Sequence, residues 1–349
     1  MPYAASIPHR FHTFPAMTLE SIPTVSLSPL RLAEAEQFLD SQSTAHPFQF
    51  PQWAGPRSRV MIAREDGKIR WLGTFGVQKP LGRGFPWIRS LSANRGPVCD
   101  DHSLWEVGVE QAVEKMREEG WAHVDVVPEW IWPEKADHPA FANCDKWRCT
   151  GDRRTSLRLN VTAPEDDIFA NFRKISRYEV RRAERLGTTV SAASTVAELD
   201  EFLSLYQRMA TWKGFTPDPI DDLRRTICWL IASESRGALL MASAKGVLHG
   251  GIVIARCGQR CWYIWGANAR DEHMTVGHIL QWRALLWAKS HGCTEYDFGG
   301  YTPGATSGPA WFKEGFGGTV VHLVSSHRRV IEPKRYKMFR VFSKFRNWI

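Results

Sequence analysis

At 349 residues the chain is longer than one hydrophobic core usually organises, so two domains are the expectation. With 43% hydrophobic and 23% charged residues, wholesale disorder is excluded. A net charge of +8 favours a polyanionic partner, such as RNA, a nucleotide-linked substrate or an anionic membrane face.

Residues 1–26 are rich in Pro, Ser and Thr and read as an irregular lead-in. A helix is expected in RLAEAEQFLD, followed by the loop HPFQFPQW. MIARE and WLGTFGVQK read as two strands joined at Asp66 and Gly67. A helix from Leu104 to Glu119 stops at Gly120 and leads into the strand WAHVDVVP. The second half repeats this plan: the helix VAELDEFLSLYQRMATW, the strands GALLMASAK, GVLHGGIVIARC and CWYIWGA, a helix from Val276 to Ser290, and the strand CTEYDFGG. Gly120 and Gly292 are 172 residues apart, as are Asp125 and Asp297, which points to an internal duplication. The alternation predicts α/β layers, helices covering a mixed sheet, in two domains spanning 27–155 and 156–325. Residues 326–349 read as a basic-aromatic tail. There is no G-x-G-x-x-G, no P-loop, no H-E-x-x-H and no G-x-S-x-G elbow, so neither a cofactor nor a metal is expected.

The seven cysteines are odd in number, loosely spaced and free of any C-x-x-C, which suits reduced thiols rather than disulfides or zinc. The opening MPYAASIPHRFHTFPAM does not resemble a signal peptide, and no apolar run reaches membrane-spanning length. The expected location is the cytoplasm, with peripheral contact at the inner membrane face left open.

Two segments carry chemistry. In TAPEDDIFANFRKISRYEVRRAERLG, Thr162 and Glu165 read as a capping box on a helix closed by Gly187. Its polar side carries Arg173, Arg177 and Arg181 at i+4 spacing, with Tyr178 beside them: either a solvated basic face or a contact for phosphates. In YDFGGYTPGATSGPAWFKEGFGG, Gly299 and Gly300 allow substrate to lie against the backbone. Lys313, held between Phe312 and later aromatics, offers a fixed charge for an oxyanion or a phosphate, or else a solvent-facing lysine paired with Glu314. Asp297 is a candidate base or an ordering group for the Gly-Gly loop. His278 and His291 read as structural.

The Arg-rich helix RKISRYEVRRAERLG, the strand CWYIWGAN, the helix HILQWRALLWAKSHG and the final CTEYDFGG and WFKEGFGG resemble the FemABX family. These are aminoacyl-tRNA-dependent transferases that build peptidoglycan side chains and bridges, with a broader FemAB-like acetyltransferase group around them. HPFQFPQW, RGPV and VDVVPEW extend the resemblance across nearly the whole chain from residue 27. It implies two tandem acetyltransferase-like (GNAT-like) domains without the coiled-coil arm of some members. It also implies Phe312 and Lys313 at the reaction centre, with Lys313 stabilising the tetrahedral transition state. Arg177, Tyr178 and Arg181 would hold a diphosphate-linked acceptor, and Tyr263 and Tyr301 would line its cleft.

The reaction so implied is attack of an acceptor amine, on a nucleotide-linked or lipid-linked peptide, upon the ester of aminoacyl-tRNA. An acyl-CoA-dependent N-acyltransferase is a second reading, disfavoured because ANARDEHMTVG lacks a Gly-rich cradle and carries Asp271 and Glu272, which repel pyrophosphate. A third is a non-catalytic protein whose tail RRVIEPKRYKMFRVFSKFRNWI contacts RNA or anionic lipid, or docks on the domain. A monomer or weak oligomer is expected.

Overall fold

The computed structural model describes residues 17–78, 88–132, 146–151, 154–233, 235–270, 274–304 and 308–346. The N-terminal half supplies β1 (Thr18–Pro23), β2 (Ser58–Glu65), β3 (Lys68–Gln78), β4 (Ser90–Asn94), β5 (Val98–Cys99), β6 (His123–Val127) and β7 (Trp147–Cys149). The C-terminal half supplies β8 (Arg154–Asn160), β9 (Thr189–Ala192), β10 (Gly237–Ala244), β11 (Val247–Cys257), β12 (Arg260–Asn268), β13 (Glu295–Gly300), β14 (Thr319–Leu323) and β15 (His327–Val330).

The strands form two mixed sheets of one design. The first runs β1-β2-β3-β4-β6-β15-β7, with β5 paired to β3; the second, read from its far edge, runs β9-β10-β11-β12-β13-β8-β14. Each contains one parallel pair, β4 with β6 and β12 with β13. The sixth place in each sheet is filled by a later strand than its seventh or by an earlier one than its first: β15, from the C-terminal half, enters the first sheet between β6 and β7, while β8 opens the C-terminal half and lies between β13 and β14. Tandem GNAT-like domains are therefore present, joined by β15, which the C-terminal half contributes to the N-terminal sheet.

Helices cover the sheets because their apolar residues recur on one side. Leu104–Glu118 buries Trp105, Val109, Val113 and Met116 against Trp71, Leu91 and Val124. Gly277–Ser290 buries Ile279, Leu280, Ala284 and Leu285 against Ile252, Cys261 and Tyr296. Both helices end at a left-handed glycine, Gly120 (φ +74°) and Gly292 (φ +75°), a conformation a side chain would strain. Between the halves, Phe38, Leu39, Phe50, Val60 and Leu72 pack with Cys257 and Trp262. Burial contributes about 1.5–3 kcal/mol for each large apolar side chain.

Three local expectations need correction. Residues 18–23 of the lead-in form an edge strand on β2. Residues 327–330 of the stretch read as a tail form β15, because alternating His327 and Arg329 against Arg328 and Val330 suits a strand once neighbours flank it. The segment after residue 162 is two helices, Glu165–Ala170 and Lys174–Arg185. No capping box forms at Thr162, whose hydroxyl donates to Asn160; Pro164 is the N-cap. The capping box lies instead at Thr195 and Glu198, at the head of helix Val196–Lys213.

Candidate active site

β12 and β13 stay in register over only three pairs, Arg260–Glu295, Cys261–Tyr296 and Trp262–Asp297. Beyond Trp262, β12 bulges against β11 between the pairs Ile254–Tyr263 and Val253–Trp265. On the other side β13 turns at Gly299, whose φ is +74°. A gap opens between two strands that would otherwise continue the ladder. Lys313, from the short helix Gly308–Glu314, reaches into it: Nζ donates to the Gly300 carbonyl at 2.6 Å and lies 5.9 Å from the centre of the Tyr263 ring.

Aromatic packing fixes the base of this lysine. The Phe312 ring centre is 4.8 Å from His278 and 5.3 Å from Phe316. A Cβ on Gly277 would stand 3.4 Å from Phe312, so the ring lies against the first turn of helix Gly277–Ser290. Burial lowers the Lys313 pKa from its ordinary value, an effect the nearby Asp297 charge partly offsets. Burial also lowers the His278 pKa, with Glu179 opposing. Tyr263 is pushed up to about 12, chiefly by burial. An ammonium with one N–H on Gly300 keeps two for a further acceptor.

Asp297 lies beneath the gap. Its Oδ1 accepts from the Gly299 N–H at 2.8 Å and from the Ser156 hydroxyl, while Oδ2 accepts from Arg158 Nε at 2.8 Å. The carboxylate thereby ties the Gly-Gly turn to β8. Tyr301 donates its hydroxyl to Glu314, which also accepts from Arg173 Nη2 at 2.6 Å. These two bonds hold the Glu314 carboxyl below its ordinary pKa, the Tyr301 bond contributing more. The loop after β13 is thus latched to the Arg-rich segment; its residues 305–307 lie outside the described residues.

The arginines do not share one face. Arg173 precedes helix Lys174–Arg185, and its backbone N–H donates to Gly315 O at 2.8 Å, which breaks the continuous helix expected there. Arg177 Nη1 donates to Ala170 O and Phe172 O, both at 2.6 Å, and closes the end of the preceding helix. Arg181 is exposed, its guanidinium 5.4 Å from the Phe169 ring, and Tyr178 is 51% exposed. The structure therefore gathers Lys313, Phe312, Tyr263, Gly299, Gly300, Tyr301 and Asp297, and sets Tyr178 and Arg181 on the outer face of the neighbouring helix.

Sequence reasoning passed over Arg158 and Glu129, and offered Glu314 only as a partner for Lys313, whereas it binds Tyr301 and Arg173. Arg158 had a signal, a charge set between Leu157 and Leu159 within a strand. Also unforeseen is a cleft of about 940 Å³ between the halves, lined by Trp53, Arg57 and Asn94 from one and Asp218, Arg225 and Trp265 from the other. Trp53 and Trp265 stack at 5.3 Å, and Trp265 Nε1 donates to Asp218 at 2.9 Å. Among the described residues no group of three or more His, Cys, Asp or Glu is placed to hold a metal.

Two mixed sheets of one strand order, with a gap between the parallel strands of the second and a lysine set into that gap, define a fold of tandem GNAT architecture. A family model described as an acetyltransferase (GNAT) domain matches residues 170–314. The fold is that of FemX, with a TM-score of 0.77 at 15% identity over 91% of this chain and 99% of that one. The L-PGS structure from Bacillus licheniformis gives 0.56 at 12% identity, over 91% of this chain and 96% of that one. A tandem GNAT protein from the clavulanic acid biosynthesis pathway gives 0.51 at 12% identity, covering 90% of this chain and 99% of that one. In sequence, a lipid II:glycine glycyltransferase of Staphylococcus epidermidis is 32% identical over 57 residues, and one of Staphylococcus saprophyticus is 30% identical over 57. Each of these matches covers 16% of this chain and spans only 14% of the relative's length. Together these likenesses give the chain a fold like that of FemX.

Proposed function

We propose that the chain is an N-acyltransferase that moves an aminoacyl group from aminoacyl-tRNA to a primary amine of a peptide or peptidoglycan-precursor acceptor. The observation that carries this reading is Lys313, half-buried in the gap between β12 and β13 with two donors uncommitted among the described residues. The amine nitrogen attacks the ester carbonyl, and the carbonyl oxygen takes up negative charge facing the Lys313 ammonium. As the intermediate collapses the ester C–O bond breaks, and the proton lost by the amine ends on the departing ribose oxygen. The ester is already activated, so positioning and charge stabilisation suffice. Asp297 orders the Gly-Gly turn, and Tyr263 and Tyr301 flank the acceptor. Arg177 supports the helix junction, while Tyr178 and Arg181 face the phosphates of a large substrate.

A tRNA donor is favoured over acyl-CoA by Phe312. Its ring covers the first turn of helix Gly277–Ser290, where helix-end N–H groups would otherwise meet a pyrophosphate. Asp271 and Glu272, counted against that ligand from sequence, lie outside the described residues. The test supplies labelled charged tRNAs, and separately labelled acetyl-CoA, with a panel of amines that includes peptidoglycan precursors. Label is expected from tRNA; label from acetyl-CoA alone overturns the donor. Lys313→Ala should lower kcat roughly 100-fold or more, as loss of an oxyanion donor does; wild-type turnover would remove Lys313 from the mechanism.

No helix among the described residues is long and apolar enough to cross a membrane. Helix Pro333–Arg346 docks on the N-terminal half through Phe339, Met338 and Phe342, against Ile88 and Ala122. Its outer face carries Lys334, Lys337 and Arg340 beside Val341, and among the described residues none of the three cations has an ion-pair partner. This face suits peripheral contact with an anionic bilayer. Sedimentation with phosphatidylglycerol vesicles should fall roughly tenfold or more in Lys337→Glu/Arg340→Glu, at about 1 kcal/mol per charge. Unchanged sedimentation would leave the face as solvated charge.

A further inference from the structure

A line of buried charge runs from the N-terminal half to the backbone beside Lys313. Arg95, just after β4, donates through Nη1 to Glu129 Oε2 at 2.8 Å, and Arg154 Nη1 approaches the same oxygen at 3.5 Å. Glu129 Oε1 accepts from Arg158 Nη2 at 3.1 Å. The same guanidinium donates through Nε to Asp297 Oδ2 at 2.8 Å. Asp297 accepts the Gly299 N–H, and the carbonyl of the next residue, Gly300, accepts Lys313 Nζ at 2.6 Å.

Side-chain exposure is 1% for Glu129, 1% for Asp297 and 5% for Arg158, so water cannot stand in for any partner. A carboxylate out of water needs its cation, which fixes each group relative to the next. Arg158 can serve both acids because its planar fork presents donors on two edges; a lysine presents one point of charge. Burial, opposed by Arg95, raises the Glu129 pKa, and the nearby His46 imidazole is kept neutral by burial and by Arg95, Arg260 and Arg158.

We propose that Glu129 and Arg158 are positioning residues: acting through Asp297, they set where the Gly300 carbonyl and the Lys313 ammonium stand. The N-terminal half thereby governs the transfer step without touching the reacting atoms. This inference depends on the reading of Lys313 as the oxyanion donor.

The test joins two readouts on the full chain. The first is the rate at which acetic anhydride acylates Lys313, followed by mass spectrometry, which requires no knowledge of the substrate. Glu129→Gln and Arg158→Lys should each change that rate at least roughly threefold by freeing or shifting the ammonium. Glu110→Gln, which breaks the separate Arg329 ion pair at 2.6 Å, should leave it unchanged. The second is transfer kinetics. Glu129→Gln should lower kcat about tenfold with KM nearly constant, and Glu129→Gln/Lys313→Ala should be no slower than Lys313→Ala alone, since groups acting as a unit are not additive. Should Arg158→Lys fail to fold, Glu129→Gln differs from wild type by a single polar group and carries the test. An unchanged Lys313 acylation rate in folded Glu129→Gln, or losses that multiply in the double variant, overturns the proposal. Shifted acylation in a protein that transfers from neither donor supports the coupling and overturns the function proposed above.

Discussion

The two halves place an aspartate at the same point of the same strand and use it differently. Asp125 on β6 faces Arg328 of β15, and Asp297 on β13 faces Arg158 of β8, each across an antiparallel pair. Asp125 is met by Arg328 through two bonds of 2.6 Å, with side chains 13% and 25% exposed. The Asp297 pair is 1% and 5% exposed, and its carboxylate also takes a backbone N–H. Residues 127 and 128 of the first half are Val and Pro; their counterparts 172 positions on are Gly299 and Gly300. A shared cross-strand ion pair thus serves as a strut in one half, whereas in the other it has been drawn inward to shape a turn beside a lysine.

The sharpest way to break this comparison is to delete each acid. Asp297→Ala leaves a buried guanidinium with one of its two acids and the Gly-Gly turn untied, and should cost roughly 3–5 kcal/mol of stability. Asp125→Ala leaves Arg328 near water and should cost about 1.5–3 kcal/mol. Denaturant titration measures both, and equal losses would mean that burial does not separate the pairs. Exchanging the turn residues is milder. Gly299→Val forces a branched side chain into φ +74°, costing about 1–2 kcal/mol, while Val127→Gly costs up to about 1 kcal/mol. Only the first should also slow transfer; equal effects on kcat would dissolve the asymmetry.

The smallest effects are those of pH. His123, on β6 beneath Tyr336 and Phe339, has its pKa lowered to about 4, chiefly by burial. The unfolded chain takes this proton near pH 6.5 and the folded chain only near 4, so stability is full above 6.5 and falls as pH drops through that window. His123→Phe should flatten that fall, and an unaltered acid profile would count against it. In the other half, Lys313 loses its proton below the ordinary lysine value of 10.5, so transfer should decline on the alkaline side before that pH. A rate that keeps rising there would contradict an ammonium role.

Much of this was legible in the chain. The glycine stops at Gly120 and Gly292, the paired Asp125 and Asp297, and the Lys313 neighbourhood follow from local chemistry: a left-handed stop, an acid in an apolar strand, a lysine among aromatics. The break at Asn171 to Arg173 was not legible, because Gly315, 142 residues further along the chain than Arg173, accepts the backbone N–H there, and the nearby Arg177 guanidinium turns back onto the Ala170 and Phe172 carbonyls. Nor was the Glu129–Arg158 contact, since charges 29 residues apart announce no pairing. Alternation marks β8 and β15 as strands but is silent on which sheet receives them.

The crossing of β15 into the first sheet bears on the order in which the chain can fold as it is made. Among the described residues β7 pairs only with β15, and β15 lies between β7 and β6. Until residues 327–330 have left the ribosome, the first-made sheet has an empty slot and an unpaired edge, open to any strand that fits. The second half must therefore be synthesised before the first can close, and nascent chains stalled short of residue 327 should expose that edge to chaperones or to one another.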